Sequence, residues 1–411
     1  MTDNKKIVAA YEPILAINLS ASPLKTFSGK VATVSWATTG ATSCQGSWNA
    51  PTSGLSMSGT FVTPPLVATT TYSMTCSNSL NKSLTKSVTI TVLPATSTHL
   101  TAKDLGIIVN DNDPDSIIIA NYYKEKRGIP EANIVHVKLP IKAQLTPAEF
   151  ASVRTQINTS LPSTVQAVAV AWTNPSRVNC NSITSVIATD YNGSICGSGI
   201  LSATSSLYYD SYSQKPFTDF KIRPAMMLAG KSVADVKALI DRGVSSDASR
   251  PKGKAYIMKT TDSVRSLRSA VYPSEKQGYA ISPDVDIKML SSNAVSSTTD
   301  TLFYFQGLAS VGKIATNKFP AGAVADHLTS YGGKLTDSSQ MSILEFISAG
   351  VTGTYGTVSE PYATGSKFPE PVVMMTHYTQ GDSLIEAYWK SVAVPCQGIF
   401  VGDPLATPWA N

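Results

Sequence analysis

From residue 31 to residue 81 the chain has no Asp, Glu, Lys, Arg or His, and over all 411 residues only 15 % are charged. With 42 % hydrophobic residues, so little charge excludes a disordered chain, which stays unfolded through high net charge and low hydrophobicity. No apolar run approaches the roughly 18 to 20 residues that cross a bilayer, so no membrane span is expected. No basic cluster is interleaved with aromatics, which argues against nucleic acid as a partner. The net charge of +5 is concentrated in residues 1–97, where six lysines face only Asp3 and Glu12. Five cysteines, Cys44, Cys76, Cys180, Cys196 and Cys396, contain no CxxC, so no zinc-ribbon spacing exists and disulfides are the better expectation. The opening residues lack the roughly 7 to 15 apolar positions of a secretory signal, so export is argued from the cysteines and from the resemblances given below.

What is present falls into two regions. The charge-free stretch is rich in Ser, Thr, Gly and Ala and carries short alternating segments. Ala32, Val34 and Trp36 share one face; Tyr72, Met74 and Cys76 share another; Val88, Ile90 and Val92 a third. This predicts an all-β sandwich over residues 14–93, stapled by Cys44 and Cys76, with residues 94–103 as a linker.

Residues 104–411 alternate apolar runs with well-capped helices, which predicts an α/β domain with a mainly parallel sheet covered by helices on both faces. Gly128 followed by Pro130 stops a helix over 116–127. Thr146, Pro147 and Glu149 read as a capping box with proline in the first turn. Ser232 caps a third helix, with Gly243 as its expected stop.

Ligands of such sheets sit at the carboxyl ends of the strands. Three places there carry polar groups. Asp111, Asp113 and Asp115 follow the first strand; their oxygens suit a hard cation such as Ca²⁺, and equally an Asx turn with acids at a helix N-terminus. No other cofactor is implied. Asp326, His327 and Ser330 bring acid, imidazole and hydroxyl within five residues, and Glu360 lies near a later strand end. A nucleophilic Ser needs a base in hydrogen-bond reach, and no GxSxG elbow is present. Cys180 and Cys196, in a Ser/Asn/Gly-rich loop, are expected to pair. Cys396 is left over, with His377 the nearest imidazole in sequence and a buried, inert thiol as the bland alternative.

Leu19-Ser20-Ala21-Ser22-Pro23, Val34-Ser35-Trp36, Ala41-Thr42-Ser43-Cys44 and Ala68-Thr69-Thr70-Thr71-Tyr72 resemble bacterial immunoglobulin-like modules of exported proteins. Tyr122 to Pro130, Leu328-Thr329-Ser330-Tyr331-Gly332-Gly333, Gly353-Thr354-Tyr355-Gly356 and Gly402-Asp403-Pro404-Leu405 are similar to an uncharacterised family of exported bacterial proteins. Gly381-Asp382-Ser383-Leu384 with Val401-Gly402-Asp403-Pro404 resembles gingipain-type cysteine peptidases of the caspase-like fold. The gingipain-type resemblance implies a His-Gly closing one central strand and a nucleophilic Cys closing the next. Here Gln306-Gly307 and Thr329-Ser330 stand at the expected ends. The reading is therefore an exported surface or structural protein with a non-catalytic caspase-like domain displayed by the module, secreted, periplasmic or on a bacterial surface. It would act by binding a protein or glycan or by self-assembly. The alternatives are a hydrolase with a non-standard site at Asp326, His327, Ser330 and Glu360, and a polysaccharide-binding protein that stacks sugars on Trp172, Tyr208, Tyr209 and Tyr212.

Overall fold

A computed structural model describes residues 14–50, 54–93, 99–269, 272, 281–360 and 364–410. They fall into two compact units, one holding the described residues up to Leu93 and the other those from His99 onward.

The first unit has strands β1 (Ala16–Ser22), β2 (Lys25–Phe27), β3 (Thr33–Thr39), β4 (Ser43–Gly46), β5 (Ser58–Val62), β6 (Thr70–Ser77) and β7 (Ser83–Leu93). They form two sheets, ordered β1-β3-β5 and β2-β7-β6-β4, antiparallel except where β2 runs parallel to β7. The alternation works as expected: Ala32, Val34, Trp36, Tyr72, Met74 and Ile90 turn inward and are buried. Cys44 lies directly opposite Cys76 on neighbouring strands, with Cα atoms 4.1 Å apart, and the two form a disulfide. The outward positions of β6 and β7 carry cross-strand hydroxyl pairs, Thr71 with Thr89, Ser73 with Ser87, Thr75 with Thr85 and Ser77 with Ser83, all at 2.7–2.8 Å. Such pairs let a strand face water without charge.

The second unit is built on strands β8 (Leu105–Asn110), β9 (Ile134–Val137), β10 (Gln144–Leu145), β11 (Ala167–Val170), β12 (Arg177–Val178), β13 (Asn181–Ser182), β14 (Ala225–Met227), β15 (Gly253–Lys259), β16 (Val285–Ser291), β17 (Thr301–Gln306), β18 (Val324–His327), β19 (Gly353–Thr357) and β20 (Gly398–Gly402). Ten of them make one sheet in the order β16-β15-β17-β18-β19-β20-β14-β11-β8-β9. All neighbours are parallel except β19 and β20. The sheet is thus two five-stranded parallel halves running in opposite directions, so the carboxyl ends of one half lie on the edge opposite those of the other. Every residue of β11, β17, β19 and β20 is buried, which requires cover on both faces. β10, β12 and β13 form a small separate sheet.

Two helices start at the caps the sequence signals, Thr146 and Ser232, whereas the first begins at Pro114, two residues before the expected 116. Asp113 caps Pro114–Arg127, which stops at Gly128 in the left-handed conformation. Thr146 and Glu149 close a capping box on Pro147–Ser160. Gly243 corrects one expectation: Val233–Ser246 runs through it to Ser246. The glycine is there for close approach, because a Cβ at Gly243 would lie 2.0 Å from Asp403 Oδ2. Asp403 is wholly buried, accepts from Tyr123 Oη at 2.8 Å and pairs with Arg127. In the stretch read as linker, residues 94–98 lie outside the described residues, while Leu100 is buried and its amide donates to Glu386 Oε2 at 3.0 Å. No helix among the described residues is long and apolar enough to cross a membrane.

Candidate functional site

The carboxyl ends of β17, β18 and β19 adjoin a small cleft of about 150 Å³. It is lined by Arg265, Thr329, Ser330, Thr357, Glu360 and Lys367, with Val264, Leu328 and Phe368 as apolar wall. Three segments far apart in sequence make it. Residues 328–330 leave β18 and are tied to β19 by Thr357 Oγ1, which donates to Thr329 O at 2.8 Å and Ser330 O at 3.0 Å. Arg265 is fixed by Nη1 to Asp262 at 2.5 Å and by Nε to Thr329 Oγ1 at 3.2 Å. Gly307 leaves room for that segment, since a Cβ there would meet Arg265 O at 1.8 Å. Residues 365–367 are held by the Tyr355 hydroxyl, which donates to Lys367 O.

Of the acid, imidazole and hydroxyl singled out in sequence, only Ser330 reaches the cleft, and Glu360 joins it from beyond β19. The register of β17 and β18 places Gln306 opposite His327, so His327, not Thr329 or Ser330, closes the strand. This corrects the expected alignment of strand ends by two to three positions. His327 is wholly buried. Its Nδ1 lies 2.8 Å from Leu308 O, and Phe346 packs edge-on at 5.8 Å. Burial pushes the imidazole down to about 4, against the pull of the Leu308 and Met341 carbonyls. The ring is therefore neutral near pH 7 and is not among the residues that line the cleft.

Asp326, one residue earlier, points to the other face of the strand. It is wholly buried, with Arg268 Nη2 2.6 Å from Oδ1 in an ion pair whose angle is not that of a hydrogen bond. Burial raises its carboxyl above the usual range, and Arg268 opposes this. Arg268 also donates to Gln306 O at 2.9 Å, so the pair braces the two strand ends from below. Among the described residues no hydrogen bond joins Ser330 to Asp326 or His327.

The remaining expectations resolve individually. Cys180 and Cys196 form a disulfide with Cα atoms 5.7 Å apart. Cys396 is free and half-buried, its thiol raised by burial. His377 does not serve it: both ring nitrogens face carboxylates, Asp382 at 2.8 Å and Asp210 at 3.1 Å. Asp111 Oδ1 lies 2.6 Å from His136 Nδ1, and Asp113 accepts from the Asp115 amide at 3.0 Å as an N-cap. The aromatic platform is corrected, because Trp172 and Tyr208 are both wholly buried and present no face to a sugar. Trp172 instead donates to Pro175 O at 3.0 Å inside the core. Tyr212, at 38 % exposure, leans on His377.

Neither Arg265 nor Lys367 was read as a site residue from the sequence. Lys367 is 2 % exposed, and its ammonium donates to Ser359 O at 3.3 Å. Desolvation lowers it to about 8, more than nearby Glu360 restores. No spacing signal marks either residue, since they come together only through the topology of the sheet.

No protein-family model and no curated protein matches the chain. Among solved structures, a chain described as "Structure of Protease" aligns at 10 % identity and a TM-score of 0.34, covering 75 % of this chain and 79 % of that one. A likeness at that level carries no argument about fold or activity.

Proposed function

We propose that residues 104–411 form a caspase-like domain that binds rather than cleaves, displayed by an immunoglobulin-like module at residues 14–93 on an exported bacterial protein. The observation that carries the reading is the sealed imidazole. General acid–base catalysis contributes roughly 10²- to 10⁴-fold in rate and needs a group titrating near the working pH within reach of the substrate. His327 is wholly buried, held near pKa 4, and separated from the cleft in which Ser330 stands. A hydroxyl without a base is a weak nucleophile. Two disulfides support an oxidising compartment, where such bonds persist. The hydroxyl-paired outer face of β6 and β7 supports a module that stays in water as a spacer.

The test is covalent labelling of the folded full-length chain with serine-directed and thiol-directed electrophiles, read by peptide mapping. The expected result is no stoichiometric adduct at Ser330 and none at Cys396 faster than that of an unfolded thiol. A stoichiometric adduct at Ser330 that disappears in the denatured chain would overturn the non-catalytic reading.

A further inference from the structure

Of the five cysteines, four are paired and Cys396 keeps its thiol, yet Cys396 stands beside one of the two bonds. Cys180, Ile195, Ile200, Ala393 and Val394 form a small buried apolar cluster, against which Cys196 and Cys396 both pack. Three sulfur-bearing residues thus meet in one place, although Cys396 lies far along the chain from the other two. Hydrogen bonds fix this arrangement from both sides. Gln397 Nε2 donates to Ile195 O at 3.3 Å, joining the residue after Cys396 to the one before Cys196. Ser185 Oγ donates to Cys396 O at 2.6 Å, and Ser185 belongs to the helix Ile183–Thr189 that follows Cys180 and β13. The turn Pro395–Gln397 is therefore tied to both ends of the loop that the disulfide closes.

The two sulfurs of that bond are not equivalent. Asn181 Nδ2 donates to Cys180 Sγ at 3.2 Å, whereas Cys196 Sγ has only the long contact with Asn179 Nδ2, at 4.0 Å. In thiol–disulfide exchange a thiolate attacks one sulfur and the other departs as thiolate, faster when its negative charge is better stabilised. A hydrogen bond from an amide favours the charged form of the group that accepts it. Cys180 is thus the leaving sulfur and Cys196 the one attacked. Gln397 favours the same direction, because it holds the chain beside Cys196 next to Cys396. Burial raises the Cys396 thiol, so little thiolate is present at neutral pH and exchange is slow there.

We propose that Cys180, Cys196 and Cys396 form an internal thiol–disulfide switch, in which Cys396 attacks Cys196 and displaces Cys180. Cys396 Sγ gives its proton to solvent, and its electron pair forms the new bond to Cys196 Sγ. The Cys180–Cys196 bond breaks with its pair on Cys180 Sγ, which takes up a proton. The number of disulfides is unchanged, and no oxidant or reductant is consumed. In the first state the loop from Cys180 to Cys196 is closed on itself. In the second, Cys196 is bonded to the turn that leads into β20, an interior strand of the ten-stranded sheet, and Cys180 is released. None of the three cysteines lines the cleft around Ser330, so the switch does not depend on whether the domain binds or cleaves.

The experiment incubates the folded full-length chain at about pH 8.5, near the ordinary thiol value, and traps thiols with excess N-ethylmaleimide after increasing times. Non-reducing peptide mapping then locates each adduct and each disulfide. Adduct is expected on Cys396 and, in a share of roughly a tenth or more, on Cys180. Every chain labelled at Cys180 should carry a Cys196–Cys396 bond. The share should be the same at lower protein concentration, since the step lies within one chain. A second measurement uses Cys180→Ser, purified from an oxidising glutathione buffer. It is expected to contain a Cys196–Cys396 disulfide, which requires Cα atoms within about 7 Å of each other. Adduct confined to Cys396, adduct on Cys196 in place of Cys180, or a share that falls on dilution would overturn the proposal. So would two free thiols in Cys180→Ser with an unchanged circular dichroism spectrum.

Discussion

His327 links the stability of the larger unit to pH with a sign opposite to that of a salt-bridged histidine. Its folded-state value is about 4, against about 6.5 for an unperturbed imidazole. The unfolded chain therefore binds more protons than the native chain between those two values. Stability is fully present above about pH 6.5 and is lost as pH falls through about 4. A difference of about 2.5 pK units corresponds to roughly 3 kcal/mol at full loss. The cause is structural: desolvation of the ring outweighs the Leu308 and Met341 carbonyls, and Arg265 and Arg268 add a smaller repulsion of the imidazolium. The perturbation is His327→Gln, which retains an amide donor for Leu308 O and removes the titration. Urea unfolding of wild type and variant between pH 7.5 and 4 would be followed by tryptophan fluorescence, with the difference between the two curves taken at each pH. Wild type should lose roughly 3 kcal/mol more than the variant over that range. An imidazole resonance of His327 titrating near 6.5 by NMR, or parallel stability curves, would refute the reasoning and reopen the cleft to acid–base chemistry.

Two further predictions concern the frame. Gly243→Ala should destabilise by at least 2 kcal/mol in thermal or chemical melts, although alanine is the better helix former by about 1 kcal/mol, because its Cβ would displace the buried Asp403 carboxylate; a neutral or stabilising result would show that Asp403 can move away. Replacing Cys180 and Cys196 together by Ser should cost about 3 kcal/mol for a loop of sequence separation 16, read as a lower denaturant midpoint that reductant no longer shifts at that site. An unchanged midpoint would mean that the bond constrains nothing in the unfolded chain.

The parts legible in the sequence were those set by short-range chemistry. Thr146 with Glu149, and Gly128 followed by Pro130, fix helix ends through hydrogen bonds and backbone conformation within a few residues. Tyr72, Met74 and Cys76 declare a one-sided strand because the opposite face stays polar. β17 and β18 offered no such cue: every residue in both is buried, so apolar alternation cannot fix their register or their ends. That is why the strand-end pair proved to be Gln306 and His327. Trp172 shows the related limit, since an aromatic among loop residues looks the same in sequence whether its ring faces water or the core. Gly243 looked like a stop because glycine ends many helices, whereas its role here depends on Asp403, far along the chain. Arg265 and Lys367 are about a hundred residues apart, and only the parallel order β15-β17-β18-β19 brings their segments to one edge.

The central claim is that a domain with this strand-end geometry performs no hydrolysis. The most direct measurement is mass-spectrometric profiling of a diverse peptide library incubated with the purified full-length chain and with Ser330→Ala, at pH values from 5 to 9. The account predicts identical profiles, with no cleavage above the protein-free blank at any pH. Reproducible cleavage by the wild-type chain that is abolished by Ser330→Ala, at unchanged fold and melting temperature, would contradict it.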